Sequence, residues 1–181
     1  MRMLSLLMCG GKGERLGMGE KPLVRVCGKR LVEHVLDSLW MCEVIAAVTD
    51  STPETARFLK SEGIEVIKTS GKGYVEDMCQ AIKEFRLFEP ILVVSADLIF
   101  FKPVLLDVIS AFISSDAVAL TTAYPDGSYA GINVVDGMFI GEEQKEIVYR
   151  VEDNDVLNVN TPEDIKKAEE IWNTTRRGEE W

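Results

Sequence analysis

A glycine-rich segment near the beginning of the sequence carries residues that could bind phosphate. Glycine has no Cβ, so the backbone N–H groups of such a segment can approach an anion closely. Lysine and arginine side chains accompany the glycines, and amide dipoles and cations both favour an anion. We therefore predict a phosphate-binding loop that comprises Gly10, Gly11, Lys12, Gly13, Arg15 and Lys21.

Two common phosphate-binding motifs do not fit this loop. In a P-loop, the Gly-Lys pair is followed directly by Ser or Thr, whose hydroxyl contacts magnesium. Here Gly13 follows Lys12, and no hydroxyl residue lies between Ser5 and Ser38. The dinucleotide-binding fingerprint requires a third glycine, and Leu16 stands at that position. The loop therefore belongs to neither class.

Strands and helices alternate along the first two-thirds of the sequence, which predicts a mostly parallel α/β sheet. The apolar runs predict strands at 4–8, 44–48, 64–67, 90–95, 117–123 and 133–135. The amphipathic spacing predicts helices at 31–40, 53–60, 74–88, 103–113 and 162–173. Two of these helices have a start signal in which Pro follows a Thr cap, with the caps at Thr52 and Thr161. We expect a loop over residues 127–132.

Ligands of such sheets bind beyond the carboxyl ends of the strands. Four loops at that edge contain the chemically interesting residues: the phosphate-binding loop, Asp50, a second glycine-basic loop at 71–74, and Asp97. The topology therefore predicts that these residues lie on one rim of the sheet.

Size and composition indicate one domain over residues 1–181, with a frayed tail at 173–181. A chain of 181 residues can bury roughly 70% of its unfolded surface. No apolar run approaches the ~20 residues of a membrane span, and the start is too short for a signal peptide. We therefore predict a cytoplasmic protein with no membrane span. A net charge of −10 also argues against a nucleic-acid partner, because phosphate backbones require a basic surface. An acidic protein that binds phosphate must concentrate positive charge locally, as the phosphate-binding loop does, or recruit a cation. The second possibility suggests magnesium.

Cysteine and histidine contribute little to the predicted chemistry. The four cysteines form no CxxC pair, so we predict reduced thiols and no zinc site. The single histidine, His34, lies in a helical pattern, where we expect it on the helix surface.

Three segments together resemble the NTP-transferase superfamily, which includes the molybdenum-cofactor guanylyltransferase. They are residues 8–15 (MCGGKGER) with 21–23 (KPL), residues 95–98 (SADL), and residues 158–164 (NVNTPED). Residues 69–77 (TSGKGYVED) and 130–135 (AGINVV) are similar to the archaeal GTP:adenosylcobinamide-phosphate guanylyltransferases of cobalamin biosynthesis. The likeness extends over nearly the whole chain and implies a Rossmann-like nucleotidyltransferase fold, with helices on both faces of the sheet.

The resemblance implies a reaction and its partners, GTP and adenosylcobinamide phosphate. The acceptor's phosphate would attack the α-phosphorus of GTP, giving adenosylcobinamide-GDP and pyrophosphate. Such transfers require mainly positioning and charge neutralisation from the protein. The acceptor phosphate is already anionic and needs no strong general base, which agrees with the single histidine.

The resemblance also implies roles for individual residues. The expected catalytic residues are Arg15, Lys21 and Asp97. The expected ligands of the cofactor Mg²⁺ are Asp97 with Asn158 or Asn160. The triphosphate is expected to contact the amides of Gly10, Gly11 and Gly13, whereas Lys12 is either a further contact or a solvated side chain. Gly131 and Asn133 are expected at an open, shallow acceptor site with some exposed apolar surface.

The residues that would recognise guanine are less sharply defined. The molybdenum-cofactor relatives place an aspartate near the end of the third strand, whereas residues 68–70 of this sequence contain no carboxylate. Base contacts are therefore expected from Asp50, from amides near Cys9, and from the second loop. That loop comprises Thr69, Ser70, Gly71, Lys72 and Gly73.

Two alternatives stay open on the sequence alone. One is nucleotidyl transfer to another acceptor, such as molybdopterin or a sugar phosphate. The other is a non-catalytic nucleotide-binding regulator, although the joint presence of Arg15, Lys21 and Asp97 argues against it. The oligomeric state is also open, with a homodimer as one alternative.

Overall fold

A computed structural model describes residues 3–11, 16–141 and 145–178 of the chain. The strands are β1 (Leu4–Met8), β2 (Arg25–Val26), β3 (Lys29–Arg30), β4 (Glu43–Val48), β5 (Glu65–Lys68), β6 (Pro90–Ser95), β7 (Leu98–Phe100), β8 (Ala119–Ala123), β9 (Tyr129–Asp136), β10 (Glu146–Arg150) and β11 (Val156–Asn158). The α-helices are α1 (Leu31–Ser38), α2 (Pro53–Ser61), α3 (Tyr74–Glu84), α4 (Val104–Ile113) and α5 (Pro162–Gly178). Short 3₁₀ turns occur at Lys21–Leu23 and Gly137–Phe139.

The central sheet has seven strands in the order β10-β8-β9-β6-β1-β4-β5. All its neighbouring strands pair in parallel except β9, which is antiparallel to both β6 and β8. This arrangement confirms the predicted mostly parallel sheet. The pairs β2–β3 and β7–β11 form two small antiparallel sheets.

Helices cover both faces of the sheet because successive side chains of a strand point to opposite faces. Leu7 lies in one core cluster with residues of α1, α2 and α4. Leu6, its neighbour in the chain, lies in the other cluster with Ala81 and Ile82 of α3. Helix α5 packs through Ala168 into a third, smaller cluster beside the β7–β11 pair. None of the helices in the described ranges is long and apolar enough to cross a membrane.

Several local predictions were wrong. Helix α3 ends at Glu84 and not near residue 88, because the chain turns at Arg86, where φ is +54°. Gly131 lies inside β9 and not in a loop, because β9 pairs with β6 and β8 from Tyr129 onward. Helix α5 continues to Gly178, past the predicted end near residue 173. His34 is 5% exposed, because Nε2 contacts the Val26 carbonyl at 2.8 Å and the ring packs edge-on against Trp172. Burial lowers the pKa of His34, so the ring is neutral at pH 7.

Candidate active site

Three sequence-distant side chains meet at the carboxyl edge of the sheet. Lys21 Nζ forms an ion pair with Asp97 and donates a hydrogen bond to Asn160 Oδ1 over 2.6 Å. The side chains of Lys21 and Asp97 are 10% and 20% exposed. The structure therefore brings together a buried cation, a carboxylate and an amide. These are three of the residues predicted for the site, Lys21, Asp97 and Asn160.

Asn158 joins the same network through backbone pairing and side-chain contacts. Its Cα pairs with that of Leu98 in the β7–β11 ladder, next to Asp97. Asn160 Nδ2 donates to Asn158 Oδ1 over 3.0 Å. The Tyr124 hydroxyl accepts the Asn158 N–H and donates to the Val156 carbonyl, both over 3.1 Å, which fixes β11 in place.

The N-terminus of α5 holds Asn160 in position. Asp164 accepts the N–H groups of Asn160 and Thr161, each over 2.8 Å, and the Thr161 hydroxyl accepts the N–H of Asp164 over 3.2 Å. This reciprocal capping confirms the predicted cap at Thr161. It also fixes the backbone from which the Asn160 side chain reaches Lys21.

One carboxylate oxygen of Asp97 has no partner in the described part of the chain. Asp97 Oδ1 is buried and accepts no hydrogen bond from any described residue, whereas Oδ2 contacts Lys21. A buried acceptor without a donor is costly, and a cation would satisfy it. The described residues contain no cluster of three or more His, Cys, Asp or Glu. One carboxylate with amide oxygens fits Mg²⁺, which usually takes its other ligands from water and phosphate.

The first glycine loop begins in close contact with the end of β4. A Cβ at Gly10 would lie 2.8 Å from Thr49 Cγ2, so only glycine fits there without a shift. A Cβ at Gly11 would meet nothing within 4 Å, so this part of the loop borders open space. The predicted residues Lys12, Gly13 and Arg15 lie outside the described part of the chain.

Cys9 is part of the protein interior. Its N–H donates to the Ala47 carbonyl over 2.8 Å, and the residue is 1% exposed. Burial, together with the charge of Asp97, raises the pKa of the Cys9 thiol. Cys9 therefore offers a ligand neither its N–H nor a reactive thiolate. All four cysteines are free thiols, as predicted.

A buried carboxylate organises the second glycine loop. Asp77 Oδ1 accepts the N–H of Gly71 over 2.8 Å and the hydroxyl of Ser70 over 3.1 Å. The Ser70 N–H donates to Gln80 Oε1 over 2.9 Å. Asp77 is not among the predicted site residues, although its position in the amphipathic spacing of α3 was a usable signal of burial.

The other residues predicted to contact the base have different surroundings. Both the N–H and the hydroxyl of Thr69 donate to the Val48 carbonyl, so neither donor is available to a base. Asp50 is 86% exposed and pairs with Lys68 on the surface. Lys72 is exposed, and Gly73 precedes α3, whose N-terminus has no side-chain cap.

A cleft of about 840 Å³ lies between α3 and strands β8 and β9. Its polar end contains both residues predicted for the acceptor site, Gly131 and Asn133, together with Asn158 of the cation network. A Cβ at Gly131 would lie 2.9 Å from Ser95 Oγ, and φ is +90° at this residue. Its apolar wall and rim include Val75, Met78, Val135 and Tyr129.

Tyr74 crosses this cleft from α3 to β9. Its hydroxyl lies 3.4 Å from Asn133 Nδ2, which donates to it, and Thr121 donates to Asn133 Oδ1 over 2.6 Å. Although Tyr74 as a whole is 40% exposed, desolvation of its hydroxyl raises the pKa of Tyr74 to about 12, and hydrogen bonds with Ser95 and Asn133 act in the opposite direction. The phenol is therefore protonated at neutral pH and available as a donor.

Glu20, which no sequence motif indicated, fixes the backbone next to Lys21. Its carboxylate accepts the N–H groups of Glu54 and Thr55 over 2.7 and 2.6 Å, and the Thr55 hydroxyl over 2.6 Å. The predicted cap of α2, Thr52, instead exchanges hydrogen bonds with the backbone of Thr49. Glu20 is thus the cap of α2 across more than thirty residues of sequence.

Replacing Glu20 by alanine is expected to lower the free energy of unfolding by about 1–2 kcal/mol, because it removes the cap and an anion at a helix N-terminus. We also expect a fall in turnover of about 3- to 10-fold, since Lys21 loses its fixed neighbour. Urea unfolding measures the first effect, and Glu54→Ala is the matched control because Glu54 is exposed in the same first turn. Equal stabilities of the two variants would contradict this role.

Comparison with known proteins places this geometry among nucleotidyltransferases. The sequence-family model described as MobA-like NTP transferase domain matches residues 5–140 of the chain. The chain is 37% identical over 191 residues to the adenosylcobinamide-phosphate guanylyltransferase of Methanocaldococcus jannaschii. That alignment covers 91% of this chain and 95% of the relative.

Two solved structures share the fold at lower identity. The inositol-1-phosphate CTP transferase from T. maritima is 16% identical with a TM-score of 0.74, and 98% of each chain is covered. The molybdopterin-guanine dinucleotide biosynthesis protein A from Archaeoglobus fulgidus is 24% identical with a TM-score of 0.70, covering 95% of this chain and all of that one. These likenesses confirm the predicted nucleotidyltransferase fold.

Proposed function

Because the chain belongs to the family of MobA-like NTP transferase domains, we propose that it transfers GMP from GTP to the phosphate of adenosylcobinamide phosphate. The products are adenosylcobinamide-GDP and pyrophosphate, a step of cobalamin biosynthesis. The relative from M. jannaschii, which bears the name of this activity, supports the choice of substrates. The observation that carries the proposal is the network of Lys21, Asp97 and Asn160, which joins Asn158 at the polar end of the cleft.

In the transfer step, an oxygen of the acceptor phosphate forms a bond to the α-phosphorus of GTP. The bond from the α-phosphorus to the bridging oxygen breaks, and that oxygen leaves with the pyrophosphate. The attacking phosphate is already an anion, so no protein base or nucleophile is needed. Lys21 neutralises the negative charge that builds up on the pyrophosphate, and Arg15 is a second cation for the same charge. The amides of the first glycine loop donate hydrogen bonds to the triphosphate.

Mg²⁺ is the proposed cofactor, and Asp97 is its principal ligand. The free Oδ1 of Asp97 supports this role, and the amide oxygens of Asn158 and Asn160 are the candidates for a further ligand. When bound there, the ion supplies positive charge to the phosphate oxygens. Because Oδ2 of Asp97 already contacts Lys21, Oδ1 is the oxygen that would hold the ion.

The cleft beside the cation network is the proposed acceptor site. A corrinoid is large and partly apolar, and the cleft combines an apolar wall with an open mouth at the exposed Tyr129. At the polar end, Asn133 and the hydroxyl of Tyr74 are donors that suit the phosphate of the acceptor. This end lies next to Asn158, so the acceptor phosphate would lie beside the cation network.

A pyrophosphate-release assay tests the proposed function. The protein is mixed with Mg²⁺ and GTP, with and without adenosylcobinamide phosphate, and ATP replaces GTP in a parallel control. We expect release only when GTP and the corrinoid are both present. GTP binding without release would show that the acceptor is another molecule, whereas the absence of nucleotide binding would contradict the role of the glycine loops.

A further inference from the structure

Asp77 is a buried carboxylate that the proposed chemistry does not use. The residue is 5% exposed, and no ion pair reaches it in the described part of the chain. Both of its hydrogen bonds from the second loop, from Ser70 and Gly71, end on Oδ1. No described residue donates to Oδ2. This second oxygen can therefore accept a hydrogen bond from water or from a ligand.

The second oxygen of Asp77, Oδ2, lies beside the first glycine loop at the carboxyl edge of the sheet. Asp77 Oδ2 is 3.7 Å from where a Cβ on Gly10 would lie, at the beginning of the first glycine loop. Thr49 separates the two loops, since a Cβ at Gly71 would lie 3.6 Å from it and one at Gly10 would lie 2.8 Å from it. The carboxylate is therefore held where the first and second glycine loops converge.

We propose that Asp77 selects guanine over other bases by accepting hydrogen bonds from its N1–H and 2-amino groups. This inference rests on the proposed function for the identity of the nucleotide. Guanine presents two donors side by side, whereas adenine presents an unprotonated N1 and no 2-amino group. A carboxylate accepts from donors only, so it favours guanine and repels the N1 lone pair of adenine.

The role of Asp77 in the loop explains only one of its oxygens. An asparagine would present an equivalent oxygen to Ser70 and Gly71 without burying a negative charge. The first turn of α3 favours a negative charge, and a ligand with two adjacent donors would in addition use the second oxygen. In this proposal, Asp77 in the first turn of α3 supplies the guanine-binding carboxylate that residues 68–70 do not contain.

The test measures binding of GTP, ITP and ATP to the full chain by titration calorimetry in Mg²⁺, without any acceptor. ITP keeps N1–H and lacks the 2-amino group. For the unaltered chain we expect GTP to bind about 10-fold more tightly than ITP, and ATP more weakly than either. For Asp77→Asn we expect GTP to weaken by about 10- to 100-fold, with GTP and ITP then within about 2-fold of each other.

Glu76→Gln is the matched control, because Glu76 is the adjacent carboxylate and is exposed. It should leave all three affinities within about 2-fold, and thermal melting verifies that Asp77→Asn is folded. An unchanged ratio of GTP to ITP affinity in Asp77→Asn would overturn the inference. An equal weakening of all three nucleotides would also overturn it, because that result indicates a purely structural role. An unaltered chain with no preference for GTP would overturn the proposed function as well.

Discussion

Replacing Asp97 by asparagine is expected to lower the rate of pyrophosphate release by about 10³-fold, because several kcal/mol of charge stabilisation depend on a carboxylate at this position. Asparagine keeps the size of the side chain and an oxygen that Lys21 can contact. The fold should therefore remain intact, which thermal melting can verify. Rates come from single-turnover assays with GTP and adenosylcobinamide phosphate.

A second measurement separates metal binding from catalysis. Mn²⁺ suits the same oxygen ligands as Mg²⁺, and its electron paramagnetic resonance signal reports binding directly. We expect Asp97→Asn to bind Mn²⁺ at least about 10-fold more weakly. Asp37→Asn is the control, since Asp37 belongs to an exposed pair with Lys29. Near-normal turnover in Asp97→Asn would remove Asp97 from both roles.

Replacing Lys21 by methionine is expected to lower kcat by about 10²- to 10³-fold, the usual effect of removing one group that stabilises developing charge. The KM for GTP should rise much less. The free energy of unfolding should fall by about 2 kcal/mol, less than the about 3–5 kcal/mol expected when a fully buried pair is broken, because Asp97 is 20% exposed. Steady-state kinetics and urea unfolding measure the two effects.

The two variants differ in one measurable property. Lys21→Met leaves both carboxylate oxygens of Asp97 in place, so Mn²⁺ binding should be retained, in contrast to Asp97→Asn. Lys29→Met, in the exposed pair with Asp37, is the control for loss of a lysine. If Lys21→Met turned over GTP at the normal rate, the lysine would be only a structural partner of Asp97.

Local sequence patterns predicted the parts of the site that depend on one segment at a time. Lys21 and Asp97 each lie in a loop after a predicted strand, and the rule that ligands bind at the carboxyl edge of a parallel sheet placed those loops on one rim. Asn160 was expected at the site only from the family resemblance. The cap of α5 at Thr161 was equally visible, because its partners lie three residues apart.

Contacts between distant segments were not visible in the sequence. Glu20 replaces Thr52 as the cap of α2, and no local rule connects positions so far apart. His34 is buried because Val26 and Trp172 reach its ring from other elements. For Asp77, the helical spacing could have indicated that the residue is buried. Only the fold shows that its carboxylate accepts hydrogen bonds from the second glycine loop.

The antiparallel direction of β9 separates the mouth of the proposed acceptor cleft from the proposed triphosphate site. Strand β9 begins at the ligand edge, directly after a tight turn in which the Tyr124 N–H donates to the Ser128 carbonyl over 2.9 Å. Residues 125–129 are exposed, and none of them contributes to the cation network or to the glycine loops. A longer segment grafted into this hairpin would thus reshape the mouth of the cleft and leave the triphosphate machinery unchanged. If the cleft binds the acceptor as proposed, exchange of this one surface turn should change acceptor specificity without loss of nucleotide binding.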